Sequence, residues 1–169
     1  MNRYILGLSK GLAIVGGFVL SLLILIVVVS IIGRETGLGA VTGDYELVEA
    51  GMAFAVFAFL PYAHMTGAHA TVDIFTDWLG DKSYRWLTAV IDVVFAVALV
   101  IIAIQLFDGM LSKQRSGQTT LLLQFPVWWA YALSSFAAVI GAFVGIWHAL
   151  VRIYEAVTGT KIAVEGGGE

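Results

Sequence analysis

Residues 11–33 read GLAIVGGFVLSLLILIVVVSIIG, and this stretch decides the fold because no charged residue interrupts its apolar run. About 20 such residues suffice to cross a hydrocarbon core of roughly 30 Å as an α-helix. Arg3 and Lys10 precede the run, as basic residues do in a signal peptide, but the apolar region of a signal peptide is typically only about 7 to 15 residues long. We therefore expect a retained transmembrane helix.

Three further apolar runs follow, at about residues 47–66, 86–107 and 126–151. Each is continuous, whereas barrel strands alternate apolar and polar residues, and an open sheet would leave unpaired backbone groups in lipid. Hydrophobic residues make up 60% of the 169 residues and charged residues only 12%, against roughly 25% charged in soluble domains. Mean hydropathy is +0.93. The sequence predicts an all-α integral membrane protein in which residues 1–169 form one domain of four transmembrane helices.

The composition also excludes several classes of function. The net charge of -3 comes with no cluster of basic residues, and nucleic-acid binding needs such a cluster to displace counterions from phosphates. The absence of cysteine rules out disulfides and thiolate chemistry. The spacing of the remaining polar residues shows no metal-ligand motif, no phosphate-binding glycine loop and no catalytic triad. We therefore predict no catalytic residue, no cofactor and no metal site, and a protein that is not an enzyme.

Basic residues predict the orientation of the helices, because short loops rich in Lys and Arg stay in the cytoplasm. Six basic residues lie in the N-terminal segment, the loop between the second and third spans and the C-terminal tail, and three lie in the other two loops. The six are Arg3, Lys10, Lys82, Arg85, Arg152 and Lys161, and the three are Arg34, Lys113 and Arg115. We expect a multi-pass protein of the bacterial inner membrane with both termini in the cytoplasm.

The loop between the second and third spans has its own pattern. In residues 66–84, TGAHATVDIFTDWLGDKSY, the apolar residues Val72, Phe75 and Leu79 recur at helical spacing. This pattern is typical of a short amphipathic helix at the membrane interface, or of a loop lying against the bilayer. Periodicity does not separate the two, and we take the interfacial helix as the prediction.

Two blocks of sequence resemble the small membrane subunits of tripartite ATP-independent periplasmic (TRAP) transporters, the DctQ-like family. The run GMAFAVFAFLPYAHMTGAHATVDIF, residues 51–75, is similar to the central signature of that family. The run TTLLLQFPVWWAYALSSFAAVIGAF, residues 119–143, is similar to its C-terminal signature. The positions that match are Gly67, His69, Val72 and Asp73 of a G-x-H-x-x-V-D core, and Pro126 and Trp128 at the opening of the last span. With the four-span layout, the resemblance covers most of the chain.

This resemblance implies a role beside a larger membrane subunit that holds the substrate and sodium sites. A periplasmic binding protein would capture an organic acid and deliver it to that subunit. The small subunit of such a transporter is similar to a scaffold, held in membrane lipid, and is not itself the conduit. The few polar residues within the four apolar runs agree with this implication.

Asp92 is the one acidic residue well inside an apolar run. A carboxylate within the membrane is costly unless it is paired or hydrated, and it often marks a functional site. It could hold a proton or cation, or form a structural ion pair with Lys10 or Arg152 at the same side of the membrane. We favour the structural ion pair, because a single carboxylate makes a poor relay.

Three histidines offer an alternative function, since paired histidines on facing membrane helices ligate haem in some proteins. His64, His69 and His148 all fall near the cytoplasmic side in the predicted topology. The alternative is a haem-binding four-helix membrane protein or another accessory membrane subunit. It is disfavoured because the sequence, with three histidines, offers no second histidine pair. A self-sufficient channel is also disfavoured, because no span carries the polar stripe that would line a water-filled pore.

The last span carries small residues at every fourth position. This strip consists of Ala137, Gly141, Gly145 and Ala149. Small residues at this spacing let two helix backbones approach closely in lipid. The strip could contact a partner subunit or another helix of the same chain, and the sequence leaves both readings open.

Overall fold

The computed structural model describes residues 2–66 and 81–158, with side chains described for residues 4–66 and 86–158. Four α-helices occupy these ranges: α1 is Asn2–Glu35, α2 is Asp44–Met65, α3 is Asp81–Ser116 and α4 is Trp128–Thr158. Each is long and apolar enough to cross a membrane, and the described ranges contain no β-strand. The predicted all-α architecture of four spans is confirmed. Most of the segment predicted as an interfacial helix, residues 66–84, lies outside the described part of the chain, and its last residues, 81–84, belong to the start of α3.

The helices extend past the apolar runs from which they were predicted. Residue 107 was the expected end of the third span, but α3 continues to Ser116. It stops where Gly117 takes a left-handed φ of 62° and its N–H donates to the carbonyl of Gln114, a common way for a helix to end. Similarly, α4 continues beyond residue 151 to Thr158. Hydropathy marks only the part of a helix that lies in hydrocarbon, whereas backbone hydrogen bonding carries it on into the interface.

The helices pack in the spatial order α1–α2–α4–α3. Helix α4 packs most extensively against α3 and also against α2, while α1 packs chiefly against α2. The central helix is therefore α4, and it has the largest set of buried residues of the four. Helices α1 and α3 form the two edges of the bundle.

The strip of small residues on α4 lies inside this bundle. Ala137 is fully buried against Phe54 and Ala58 of α2. A Cβ atom added at Gly141 would lie 3.5 Å from Pro61 Cγ of α2, and one at Gly145 would lie 3.1 Å from Leu99 Cδ1 of α3. The strip thus packs against two helices of its own chain, rather than presenting a free face to a partner.

Close approach also joins α1 to α2. A Cβ atom at Gly16 would lie 2.9 Å from Ala58 Cβ, and one at Gly51 would lie 2.7 Å from Leu23 Cδ1. Both distances are shorter than normal van der Waals contact, so these glycines bring the two backbones together. In lipid, where apolar side chains gain nothing by leaving the solvent, such close contact is the main force between helices.

The two loops described at one end of the bundle are joined by Glu46. Its two carboxylate oxygens accept hydrogen bonds from the backbone N–H groups of Leu122 at 2.7 Å and Leu123 at 2.9 Å. The Leu123 side chain also lies directly over Gly43, where any Cβ atom would overlap it. We call this contact the Glu46 clasp. It ties the start of α2 to the loop between α3 and α4.

We predict that Gly145→Leu destabilises the chain, because the new side chain would enter the contact with Leu99 and Ala96 of α3. Overpacking of this kind costs about 1–3 kcal/mol. The measurement is a thermal melt of the detergent-purified chain. Gly11→Leu is the matched control, since a Cβ atom there meets nothing within 4 Å. Equal melting temperatures for the two variants would contradict the internal packing of the strip.

Candidate functional site

Five polar residues meet inside the bundle at the end where α2 finishes and α3 starts. We call them the polar cluster: His64 of α2, Asp92 of α3, and His148, Arg152 and Glu155 of α4. His64, Asp92 and Glu155 are buried, with 3%, 8% and 4% of their surface exposed. Buried polar groups are costly in lipid unless they satisfy one another, so this cluster is the main candidate site in the described ranges.

Asp92 is at the centre of the cluster. Its Oδ2 atom lies 3.3 Å from His148 Nδ1 and 3.6 Å from Arg152 Nε, and its Oδ1 atom lies 3.8 Å from His64 Nε2. Arg152 in turn donates from Nη1 to Oε2 of Glu155 at 3.3 Å. The carboxylate is therefore surrounded by a guanidinium and two imidazoles.

The two imidazole rings of the cluster are in direct contact. The His64 ring meets the His148 ring edge to face, with ring centroids 4.9 Å apart, and it stacks on the Phe95 ring at 4.5 Å. A porphyrin held by this pair would have to lie between rings that already touch. The arrangement therefore does not support the alternative of a haem-binding protein through His64 and His148, and His69 lies outside the described residues.

Helical geometry explains why these side chains converge. His148, Arg152 and Glu155 are spaced by four and three residues, so they lie on one face of α4. That face meets both neighbours because α4 lies between α2 and α3. His64 is in the last turn of α2, and Asp92 lies six residues after Trp86, where the candidate span begins, or about 9 Å along a helix.

The structure places some of the predicted ion-pair and family-motif residues, and others lie outside the described part of the chain. Arg152 contacts Asp92, whereas the Lys10 side chain is exposed and forms no ion pair with Asp92 in the described part of the chain. Pro126 precedes α4, and its carbonyl accepts from the N–H of Trp129 at 3.1 Å. Trp128 is the first residue of α4 and contacts the Trp129 ring edge to face. Gly67, His69, Val72 and Asp73 lie outside the described residues.

Sequence reasoning missed the convergence of His64, His148 and Glu155 on Asp92. Their spacing along the chain shows no ligand motif, and we predicted no metal-binding group. The structure nevertheless brings His64, Asp92 and His148 together, with one ligand atom from each within 4.8 Å of the others. The spacing of His148, Arg152 and Glu155 was a readable signal of one polar face. Nothing in the sequence indicated which helices that face meets.

A second feature is a cavity of about 600 Å³ at the opposite end of the bundle, beneath the Glu46 clasp. Its walls are mostly apolar and come from α2, α3, α4 and the loop before α4. Its acidic lining residues are Glu46 and Glu49, and none of its lining residues is basic. An organic anion would meet two carboxylates and no cation there, so the cavity is unsuited to binding an organic acid.

We predict that Asp92→Asn lowers the stability of the chain, because the partly buried Arg152 guanidinium loses Asp92 and keeps Glu155. Since the Arg152 side chain is 26% exposed, we expect a cost below the roughly 3–5 kcal/mol that removal of one partner of a fully buried ion pair causes. The checks are a thermal melt and the yield of monodisperse protein in detergent. Glu49→Gln is the control, since Glu49 is exposed and forms no ion pair in the described part of the chain. An Asp92→Asn protein as stable as that control would exclude a structural role for the ion pair.

Comparisons with known proteins agree with the resemblance noted from the sequence. Residues 23–159 match the model of the family described as tripartite ATP-independent periplasmic transporters, DctQ component. No curated protein and no solved structure matched the chain. The matched region spans all of α2, α3 and α4 and the second part of α1. The chain therefore belongs to the DctQ component family, the small membrane subunits of tripartite ATP-independent periplasmic transporters.

Proposed function

We propose that this chain is the scaffold subunit of a TRAP-type secondary transporter that imports an organic acid, coupled to sodium. In this proposal a larger membrane subunit holds the substrate and sodium sites, and a periplasmic binding protein delivers the substrate. Membership of the family carries the proposal. The family is a transporter component and not an enzyme family.

The distribution of charge in the bundle supports a scaffold over a conduit. Transport of an organic acid requires cationic or hydrogen-bonding groups that face a water-filled path. Arg152 is the basic residue in the polar cluster, and it contacts the carboxylates of Asp92 and Glu155. The large cavity offers carboxylates where an anion would need cations. In the described ranges, neither place provides an anion site.

The exposed surface of α1 supports a role beside a partner. Helix α1 is an edge of the bundle, it packs chiefly on α2, and it is the least buried of the four spans. Large apolar side chains remain exposed along its length, among them Ile14, Phe18, Ile24, Leu25 and Ile32. Such a surface is compatible with lipid and with a second membrane protein, since residues 11–33 of α1 contain no charged side chain that would oppose either.

We predict that liposomes containing only this chain take up no organic acid, because neither the polar cluster nor the large cavity of the described residues provides an anion site. The assay measures uptake of a panel of labelled organic acids under an inward sodium gradient. Liposomes that also contain the large membrane subunit and the binding protein are the positive control, and empty liposomes set the background. Sodium-dependent uptake above background by this chain alone would refute the scaffold role.

The orientation of the bundle belongs to the same proposal. The Glu46 clasp joins the loop between α1 and α2 to the loop between α3 and α4, so these two loops share one side of the membrane. The bundle therefore has two possible orientations, one with these loops in the periplasm and one with them in the cytoplasm. The basic residues favour the periplasm for the clasp and the cytoplasm for both termini.

We predict that a reporter active only in the periplasm stays inactive when fused after Lys161. The chain has no cysteine, so single cysteines provide a second measurement without background. Leu121→Cys, at a highly exposed position of the loop before α4, should react in intact spheroplasts with a maleimide that does not cross membranes. Labelling of the cysteine only after lysis, together with an active reporter at the tail, would contradict the predicted topology and would place both termini in the periplasm.

A further inference from the structure

We propose that His64, Asp92 and His148 form a binding site for a divalent transition-metal ion, best suited to zinc, that links α2, α3 and α4 inside the membrane. Each residue comes from a different helix. A bound ion would therefore fix the relative positions of three spans at the end of the bundle where the polar cluster lies.

The distances between the ligand atoms fit a small metal ion. Bonds of about 2.0–2.2 Å from zinc to imidazole nitrogen or carboxylate oxygen place tetrahedral ligand atoms roughly 3.4 Å apart. The His148 Nδ1 to Asp92 Oδ2 distance is 3.3 Å, and the His64 Nε2 to Asp92 Oδ1 distance is 3.8 Å. All three ligand atoms lie within 4.8 Å of one another. Small side-chain rotations would therefore complete the geometry.

Two of these atoms are buried without a hydrogen bond. Asp92 Oδ2 and His148 Nδ1 make none in the described part of the chain, although they lie 3.3 Å apart. A buried polar atom without a hydrogen bond costs about 1–3 kcal/mol, and more when the group is charged. A metal ion accepts a lone pair from each atom at once and removes both costs.

The ligand set selects the type of ion. Sodium, magnesium and calcium prefer oxygen ligands, whereas imidazole suits zinc, copper, nickel and iron. Two imidazoles and one carboxylate are a familiar set for zinc, with a fourth position left for water. This composition distinguishes the site from a sodium site of the kind that would drive transport.

Arg152 is the group that opposes a cation here, since its Nε atom lies 3.6 Å from Asp92 Oδ2. Its charge is offset by Glu155, whose Oε2 atom lies 3.3 Å from Arg152 Nη1. Carboxylates that bind a metal commonly have hydrogen-bonded outer partners, and each carboxylate oxygen has two lone pairs, so Oδ2 can bind the metal with one and face Arg152 Nε with the other. Arg152 therefore fits as an outer partner that orients Asp92.

The test uses the full chain, purified in detergent, with its affinity tag removed and its metals stripped by a chelator. Cobalt(II) replaces zinc as the probe because its visible absorption reports coordination. We expect one cobalt ion per chain with the intense bands of four-coordinate geometry, displacement of cobalt by one equivalent of zinc, and a higher melting temperature with zinc. Cobalt binding that does not saturate near one ion per chain would overturn the proposal.

Variants assign the ligands. His148→Gln and Asp92→Asn should each weaken cobalt binding by more than the roughly 10- to 100-fold that loss of an outer partner causes, whereas Glu49→Gln should leave it unchanged. Arg152→Gln keeps all three ligands and should retain a four-coordinate cobalt spectrum. Wild-type affinity in folded His148→Gln would refute the site. If Asp92→Asn does not fold, the comparison of His148→Gln with Arg152→Gln still decides the question.

Discussion

The position of α4 between α2 and α3 is the constraint on which the rest of the structure depends. In lipid, helices associate through close backbone contact and buried polar groups, because the surrounding solvent is as apolar as their side chains. The small residues of α4 permit that contact on both flanks: Gly141 faces Pro61 of α2, and Gly145 faces Leu99 of α3. A larger side chain at either position would separate α4 from a neighbour. The spatial order α1–α2–α4–α3 therefore rests on residues that contribute almost no side-chain surface of their own.

The polar cluster is a consequence of this packing. Asp92 on α3 and His64 on α2 meet because both helices contact the α4 face that carries His148 and Arg152. A carboxylate alone at this depth would be strongly unfavourable. It becomes tolerable only when the neighbouring helices supply its partners, so correct packing of α4 is a condition for Asp92 to remain in the membrane. Polar groups of this kind make a wrong helix order costly, since an order that separates α3 from α4 and α2 would leave Asp92 without these partners.

The sequence predicted the parts of the structure that depend on one helix at a time. Continuous apolar runs long enough to cross the bilayer core predicted the four spans and their helical state, since helices and closed barrels alone satisfy their backbone there and barrel strands would alternate apolar and polar residues. They could not give the helix ends, because α3 and α4 continue into the interface, where hydropathy carries no signal. Asp92 and Arg152 were identified because a charge in an apolar run is conspicuous. His64 and His148 were not assigned to the site of Asp92, and Lys10 was considered as a partner of Asp92. These contacts depend on which helices lie side by side, and a linear pattern does not encode that order.

The two ends of the bundle are held together by different kinds of contact. At one end, Glu46 receives two backbone N–H groups of the loop before α4, which fixes the start of α2 against that loop. At the other end, three helices are tied by side chains alone, through Asp92. Backbone hydrogen bonds fix the position of a loop, whereas side-chain ion pairs and imidazoles can exchange partners, including protons and metal ions. The Glu46 clasp thus holds its end through the backbone of a loop, whereas the polar cluster holds the other end through side chains that can exchange partners. Helix α2 takes part in both contacts, through Glu46 at one end and His64 at the other, while α4 is held by the loop that precedes it and by His148 and Arg152.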